Sequence, residues 1–114
     1  MDGFDLEERT ATFGEAVIAL CKRIRRDDVN SVLVRQLIRA VTSVGANYCE
    51  ANNAESKPDF SHKIGICRKE SCETKHWLRM LGSANPSKVE QARKLWQEAH
   101  QLNLIFSKIR RGIE

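Results

Sequence analysis

Residue types able to do covalent or metal chemistry occur along this chain, but their spacing does not assemble a site. The four cysteines, Cys21, Cys49, Cys67 and Cys72, form no C-x-x-C pair, and the closest two stand five residues apart, on different faces of any helix. Cys72 and His76 are four apart and could touch one metal ion, yet two ligands do not close a zinc shell. Glu73-Thr74-Lys75-His76 is a Glu-x-x-His match, the spacing by which di-iron bundles set two ligands on one metal. Such centres need a second pair and two more glutamates, and the last third of the chain offers only Glu98-Ala99-His100, at the wrong spacing. No serine sits in a G-x-S-x-G elbow, no glycine-rich loop follows a strand, and no H-E-x-x-H occurs. The expectation is four unbridged thiols in a reducing cytosol, no catalytic residue, no metal and no cofactor.

Polar side chains at helical spacing form a second group. Gln36, Ala40, Ser43, Asn47 and Glu50 step by four and three, and Lys63, Ile66, Glu70, Glu73 and Trp77 step by three and four. If helices carrying these rows pack antiparallel, Glu50 falls near Lys63, Ser43 near Glu70, and Arg39 opposite Glu73. Three readings stay open. The rows are a paired, partly solvated seam beside the core, or a subunit interface whose polar register selects the oligomer, as polar core residues do in coiled coils. The third is an acid–base site built from Glu50, Glu70 or Glu73. A further group is the basic run Lys22-Arg23-Ile24-Arg25-Arg26, which either caps a helix end or offers cations to a polyanion.

The elements that must position these groups read as helix throughout, because apolar residues recur at three and four with no alternating stretch. Leu6, Phe13, Val17, Leu20 and Ile24 make one stripe, with Asp5 and Glu8 marking the start of a first helix over about 5–26. Asn30 or Ser31 caps a second helix over about 31–52, carrying Val32, Leu33, Leu37, Ala40, Val41, Val44 and Tyr48. Pro58, behind Ser56, opens a third over about 57–82, with Phe60, Ile64, Cys67, Ser71, Thr74, Trp77, Leu78 and Leu81 on its apolar face. Gly82-Ser83-Ala84-Asn85-Pro86 stops it and starts a fourth over about 86–111, capped by Asn85, through Val89, Leu95 or Trp96, Ala99, Leu102, Ile105, Phe106 and Ile109. Gly45, in mid-helix, reads as room for close helix packing. Loops of about five residues predict an all-α, up-down-up-down antiparallel four-helix bundle, a single domain over 1–114.

At 114 residues and 13.0 kDa the chain suits one core. Its longest uncharged run, Val41 to Cys49, is less than half a bilayer span. The acidic opening Met1-Asp2-Gly3-Phe4-Asp5 lacks the basic-then-apolar pattern of a signal peptide. The expected location is cytoplasmic, with no membrane contact. Lys and Arg number 19 against 15 Asp and Glu, a net +4. In the predicted bundle, the end built from residues 16–41 and 71–99 carries eleven basic and five acidic side chains, while the opposite end carries eight and ten. That +6 end gathers Lys22, Arg23, Arg25 and Arg26, flanked by Arg35, Lys88, Arg93 and Lys94, and is the expected contact for RNA or DNA backbone phosphates. Tyr48, Trp77 and Trp96 fall on or near apolar stripes, so core burial is expected of them rather than base stacking.

Gln36-Leu37-Ile38-Arg39-Ala40, Thr42-Ser43-Val44-Gly45-Ala46-Asn47 and Glu50-Ala51 resemble the second helix of the bacterial four-helix bundle protein family, also called the 23S rRNA intervening-sequence protein family. The similarity continues through Ala54-Glu55-Ser56, Asp59-Phe60, His62-Lys63, Lys69-Glu70, Glu73-Thr74 and Trp77-Leu78-Arg79, and includes Asp5-Leu6-Glu7, Arg9-Thr10 and Phe13 at the start. Cys67, Arg68 and Ser71 depart from it, standing where Ala, Leu and Ala are expected. The resemblance implies a ring-forming homo-oligomer, a homopentamer, with no enzymatic reaction attached. Five copies would raise the basic end to roughly +30, a strong field for phosphates. It also implies kinship with the accessory variability determinant of diversity-generating retroelements, a basic pentamer that works with a reverse transcriptase and binds nucleic acid. The expected function is a nucleic-acid-binding or nucleoprotein accessory module, with a reverse transcriptase or another nucleoprotein as partner. The alternative is a non-catalytic structural or protein-interaction scaffold.

Overall fold

The computed structural model of the chain describes residues 3–113, with side chains from Leu6 onward. The Asp5 carboxylate, expected at the first helix start, lies outside the described side chains. Four α-helices account for nearly all of the described residues: α1 Gly3–Lys22, α2 Asp28–Asn52, α3 Lys57–Ala84 and α4 Val89–Ile113, the last preceded by a 3-10 turn at Pro86–Lys88. Among the described residues there is no strand, and no helix is long and apolar enough to cross a membrane.

The boundaries at the α1–α2 turn and at the start of α4 differ most from the sequence expectation. α1 stops at Lys22, and α2 starts at Asp28 because Asp27, rather than Asn30 or Ser31, is its N-cap. Asp27 Oδ1 accepts from the Asn30 amide at 2.7 Å, satisfying a donor that helix geometry leaves open, and its charge suits the helix dipole. Asn30 is buried instead, and apart from a long 3.4 Å bond to Asp27 Oδ2 its side chain bonds outside its own helix. Its Nδ2 donates to the Arg25 carbonyl at 2.8 Å and to Asn85 Oδ1 at 3.0 Å, while Asn85 Nδ2 returns a bond to Asn30 Oδ1 at 2.8 Å. Asn85 Nδ2 also donates to the Leu81 carbonyl at 2.9 Å, closing α3. Pro86 opens the 3-10 turn, so α4 proper begins at Val89. Pro58 lies in the first turn of α3, behind Ser56, whose Oγ accepts from the Asp59 amide at 3.1 Å.

Contacts between helices pair residues in opposite order. Asn52 reaches Glu7 while Gly45 lies beside Thr10; Lys63 reaches Glu50 while Arg39 reaches Glu70; Asn103 reaches Arg68 while Lys75 reaches His100. Arg9 to Glu98 and Arg23 to Gln91 bring α4 back beside α1. Between the helices sits one apolar cluster that includes Phe13, Val17 and Leu20 of α1, Leu37, Val41, Val44 and Tyr48 of α2, Ile64, Cys67, Leu78 and Leu81 of α3, and Ala99, Leu102 and Phe106 of α4. Val32, expected inside, is 52% exposed. Buried Thr10, Ser71 and Thr74 place their hydroxyls on the carbonyls of Glu7, Arg68 and Glu70 in their own helices.

A Cβ at Gly45 would meet only Thr10, at an ordinary contact distance of 3.8 Å, so the packing does not require glycine there. Gly45→Ala is therefore expected to raise stability by about 0.5–1 kcal/mol, read as a higher urea midpoint at unchanged slope. Asn30→Ala leaves Asn85 and the Arg25 carbonyl short of a partner and should cost about 1–3 kcal/mol. The Asn30→Ala, Asn85→Ala double variant should lose clearly less than the two single losses combined, since one shared pair is being removed.

Candidate functional site

Because α1 ends at Lys22, the rest of the basic run lies in the α1–α2 turn rather than along a helix. Lys22, Arg25, Arg26 and Arg35 line one cleft of about 320 Å³ together with Ile24, Asn30 and Val34. All four cations are exposed, and none forms an ion pair among the described residues. The bond from Asn30 Nδ2 to the Arg25 carbonyl fixes the turn beside them. The other cations expected at this end do not line that cleft. Arg23 turns to α4, where its Nη2 donates to Gln91 Oε1 at 2.9 Å. Lys88 is half-buried in the 3-10 turn, and Lys94 is exposed on α4. Arg93 pairs with Glu90 at 2.6 Å and lines a separate cleft between α3 and α4.

The polar rows on α2 and α3 meet as a seam that satisfies itself within one chain. Lys63 Nζ lies 3.2 Å from Glu50 Oε1, and Arg39 spans Glu70, at 3.2 Å, and Glu73. Ser43 bonds not to Glu70 but to Asn47, whose Nδ2 donates to the Ser43 carbonyl at 2.9 Å and to its Oγ at 3.0 Å. Gln36 Oε1 accepts from Arg39 Nε at 3.1 Å, and Glu73 Oε1 accepts from Trp77 Nε1 at 3.1 Å. The Glu70 side chain is only 10% exposed, so Arg39 is the charge that compensates its burial. Glu50, Glu70 and Glu73 are each committed to a cation of their own chain. Among the described residues, no group of three or more His, Cys, Asp or Glu stands close enough to hold a metal ion.

Val29 and Val32 continue the row of Gln36, Arg39 and Ser43 along α2, and they are 60% and 52% exposed. The sequence carries no signal for Val29, because one apolar residue ahead of an expected helix start has no periodicity. On the other flank of α2, Ala11, Gly14 and Ile18 line a shallow apolar groove with Thr42 and Gly45. Charge is also divided by face within the end of the chain's fold opposite the α1–α2 turn. Residues 57–70 and 100–114 carry seven basic and three acidic side chains, whereas 1–15 and 42–56 carry one and seven. The end that nets −2 is thus basic on its α3–α4 side, where Arg68, Lys69, Arg110 and Arg111 line one cleft.

All four cysteines are free thiols. Burial pushes the Cys67 thiol up to about 12 and the Cys21 thiol up to about 11. Burial, and then the Glu7 carboxylate, raise Cys49. Cys72 is exposed on the α3–α4 side.

Known proteins share this architecture. The family model described as 23S rRNA-intervening sequence protein matches residues 4–108. The crystal structure of a protein of unknown function from the S23 ribosomal protein family of Bacteroides thetaiotaomicron is similar with a TM-score of 0.87 at 28% identity, covering 97% of this chain and 99% of that one. No curated protein matches the chain.

Removing Arg39 strands a nearly buried carboxylate, so Arg39→Ala should cost about 1–3 kcal/mol, whereas Lys63→Ala at the solvated end of the seam should cost less than about 1 kcal/mol. Urea titration of the two variants checks the ranking. The thiolate is the reactive form, and a raised thiol value leaves little of it at pH 8. Timed alkylation with peptide mapping should therefore modify Cys72 first and reach Cys21 and Cys67 only when the protein unfolds.

Proposed function

The chain belongs to the 23S rRNA-intervening sequence protein family, and from that premise we propose that it is a non-enzymatic, ring-forming helical module that holds nucleic acid by its backbone phosphates. The observation that carries this reading is the cleft at the α1–α2 turn, where Lys22, Arg25, Arg26 and Arg35 stand together without an acidic partner among the described residues. Like charges held close repel one another, and a polyanion relieves that repulsion while releasing its own counterions. The buried Asn30–Asn85 pair holds the turn, so the cations are presented from fixed backbone. Arg23, Lys88, Arg93 and Lys94 stand on the neighbouring elements outside the cleft and would add only to the overall field of that end. In an up-down-up-down bundle repeated around a homopentameric ring, the same end recurs once per copy and the field adds.

Ring closure requires two different surface patches that fit each other. The exposed Val29–Val32 edge of the polar row and the Ile18 groove, on opposite flanks of α2, supply two such patches. RNA or DNA is the ligand, and a reverse transcriptase or another nucleoprotein is the partner such a ring would serve. A second reading, a protein-interaction scaffold, is favoured by the same valines, since apolar contact of this kind serves a protein partner better than a phosphate backbone.

Light scattering should return five times the 13.0 kDa protomer mass, and a 13.0 kDa species at micromolar concentration would remove the ring. Binding to duplex DNA should weaken with salt, with a log–log slope of about −0.9 per phosphate neutralised. Reversing Arg25, Arg26 and Arg35 to Glu should abolish duplex binding while leaving the oligomer intact. Unchanged binding in that variant would transfer the function to the scaffold reading.

A further inference from the structure

We infer that the outer seam between α3 and α4 is a second nucleic-acid surface, a track for a single strand with an unpaired base seated against Trp96. The inference rests on the reading of the ligand as nucleic acid, but on a different surface from the α1–α2 cleft and on a different form of the ligand.

Helical spacing sets the seam. On α3, Arg68, Cys72, His76 and Arg79 step by four, four and three along one stripe, and on α4 Arg93, Trp96, His100, Asn103 and Ser107 step likewise in the opposite sense. The two stripes enclose two clefts. One, of about 910 Å³, is lined by Arg68, Lys69, Arg110 and Arg111, and the other, of about 420 Å³, by Arg79, Arg93, Trp96 and Gln97. Between them Lys75 Nζ lies 3.2 Å from His100 Nδ1 and 5.3 Å from the centroid of the Trp96 ring. A Cβ at Gly65 would collide with the Arg110 guanidinium, so the glycine is what lets that cation lie against α3. Among the described residues, Glu73 lines the larger cleft, and Glu90 stands beside Arg93 of the smaller one. Glu73 is engaged by Arg39 and Trp77, and Glu90 by Arg93. Arg68, Lys69, Arg79, Arg110 and Arg111 form no ion pair among the described residues.

The aromatic group distinguishes this surface from the α1–α2 cleft. Trp96 is half-buried and stacks on His100, with ring centroids 5.2 Å apart and planes 18° from parallel. It lines the smaller cleft in company with two guanidinium groups, and that cleft falls within the roughly 300–1,000 Å³ typical of small-ligand sites. Aromatic rings beside phosphate-binding cations are what single-strand recognition requires, because an unpaired base has a free face to stack and a duplex base does not. From Arg68 to Arg79 the seam runs eleven residues, about 16 Å of helix, long enough for a few nucleotides rather than one phosphate.

The experiment measures fluorescence anisotropy of a labelled oligouridylate and of a duplex DNA of the same length, with the full chain at low and moderate salt. Trp96→Leu keeps apolar bulk and removes the indole; it should weaken single-strand binding by about tenfold or more, the loss of one base–aromatic contact, and leave duplex binding unchanged. The Arg68→Glu, Arg110→Glu variant, which keeps Trp96, should weaken single-strand binding as strongly and flatten its salt dependence, and it carries the test if the tryptophan variant does not fold. Single-strand binding unchanged in either folded variant, or a Trp96→Leu loss equal on both ligands, overturns the inference. Loss of single-strand binding in the Arg25, Arg26, Arg35 reversal alone also overturns it while leaving the α1–α2 reading in place. Loss in the seam variants together with wild-type duplex binding by that reversal supports the seam and removes the α1–α2 reading.

Discussion

Two asparagine side chains set the geometry of one whole end of this molecule. Asn30 is 3% exposed, and a buried amide must find partners or forfeit the hydrogen bonds that water gave it. Its two short bonds go to the Arg25 carbonyl in the preceding turn and, across the fold, to Asn85, with a longer one to its own helix cap Asp27. That choice requires a chain reversal before Asp27, so α1 cannot run on through the basic residues. Arg25 and Arg26 are left in a turn, tied to the α3–α4 corner through Asn85, instead of being spread around a helix by a rotation of about 100° per residue. The cleft shared by Lys22, Arg25, Arg26 and Arg35 follows from this arrangement.

The distribution of paired and unpaired charge then separates the surfaces by role. On the α2–α3 side the chain matches its own ions: Arg39 with Glu70 and Glu73, Lys63 with Glu50. Single partly buried pairs of this kind contribute less to stability than to uniqueness, since breaking one strands a charge while keeping it returns little net energy. At the α1–α2 turn Lys22, Arg25, Arg26 and Arg35, and along the α3–α4 seam Arg68, Lys69, Arg79, Arg110 and Arg111, have no such partners among the described residues, and folding is not what keeps them together. Self-repulsion in those clusters opposes the fold slightly and favours any ligand that brings negative charge.

Much of the fold was legible in the sequence because its signals are periodic. Phe13, Val17 and Leu20, or Ile64, Leu78 and Leu81, could be placed inside from intervals of three and four, and the Glu50–Lys63 and Arg39–Glu73 pairings follow once two such helices are laid antiparallel. The cap of α2 was not legible in the same way. Asp27, Asp28, Asn30 and Ser31 are all acceptable near a helix start, and the outcome depends on Asn85, which is 55 residues away from Asn30. The α3–α4 seam was hidden for a different reason: summing charge over one end lets the acidic α1–α2 residues cancel Arg68, Lys69, Arg110 and Arg111. Trp96 was hidden by periodicity itself, which cannot choose between adjacent Leu95 and Trp96 when both end half-buried.

If the unpaired cations mark where nucleic acid lies, photo-crosslinking reveals it most directly. A single-stranded RNA carrying 4-thiouridine would be irradiated with the intact protein and the modified peptides mapped. Crosslinks are expected in the peptides that hold Lys22 to Arg35 and in those that hold Trp96 and His100. Crosslinks confined to the self-paired row from Arg39 to Glu50, or none above the background of an unrelated basic protein, would contradict it.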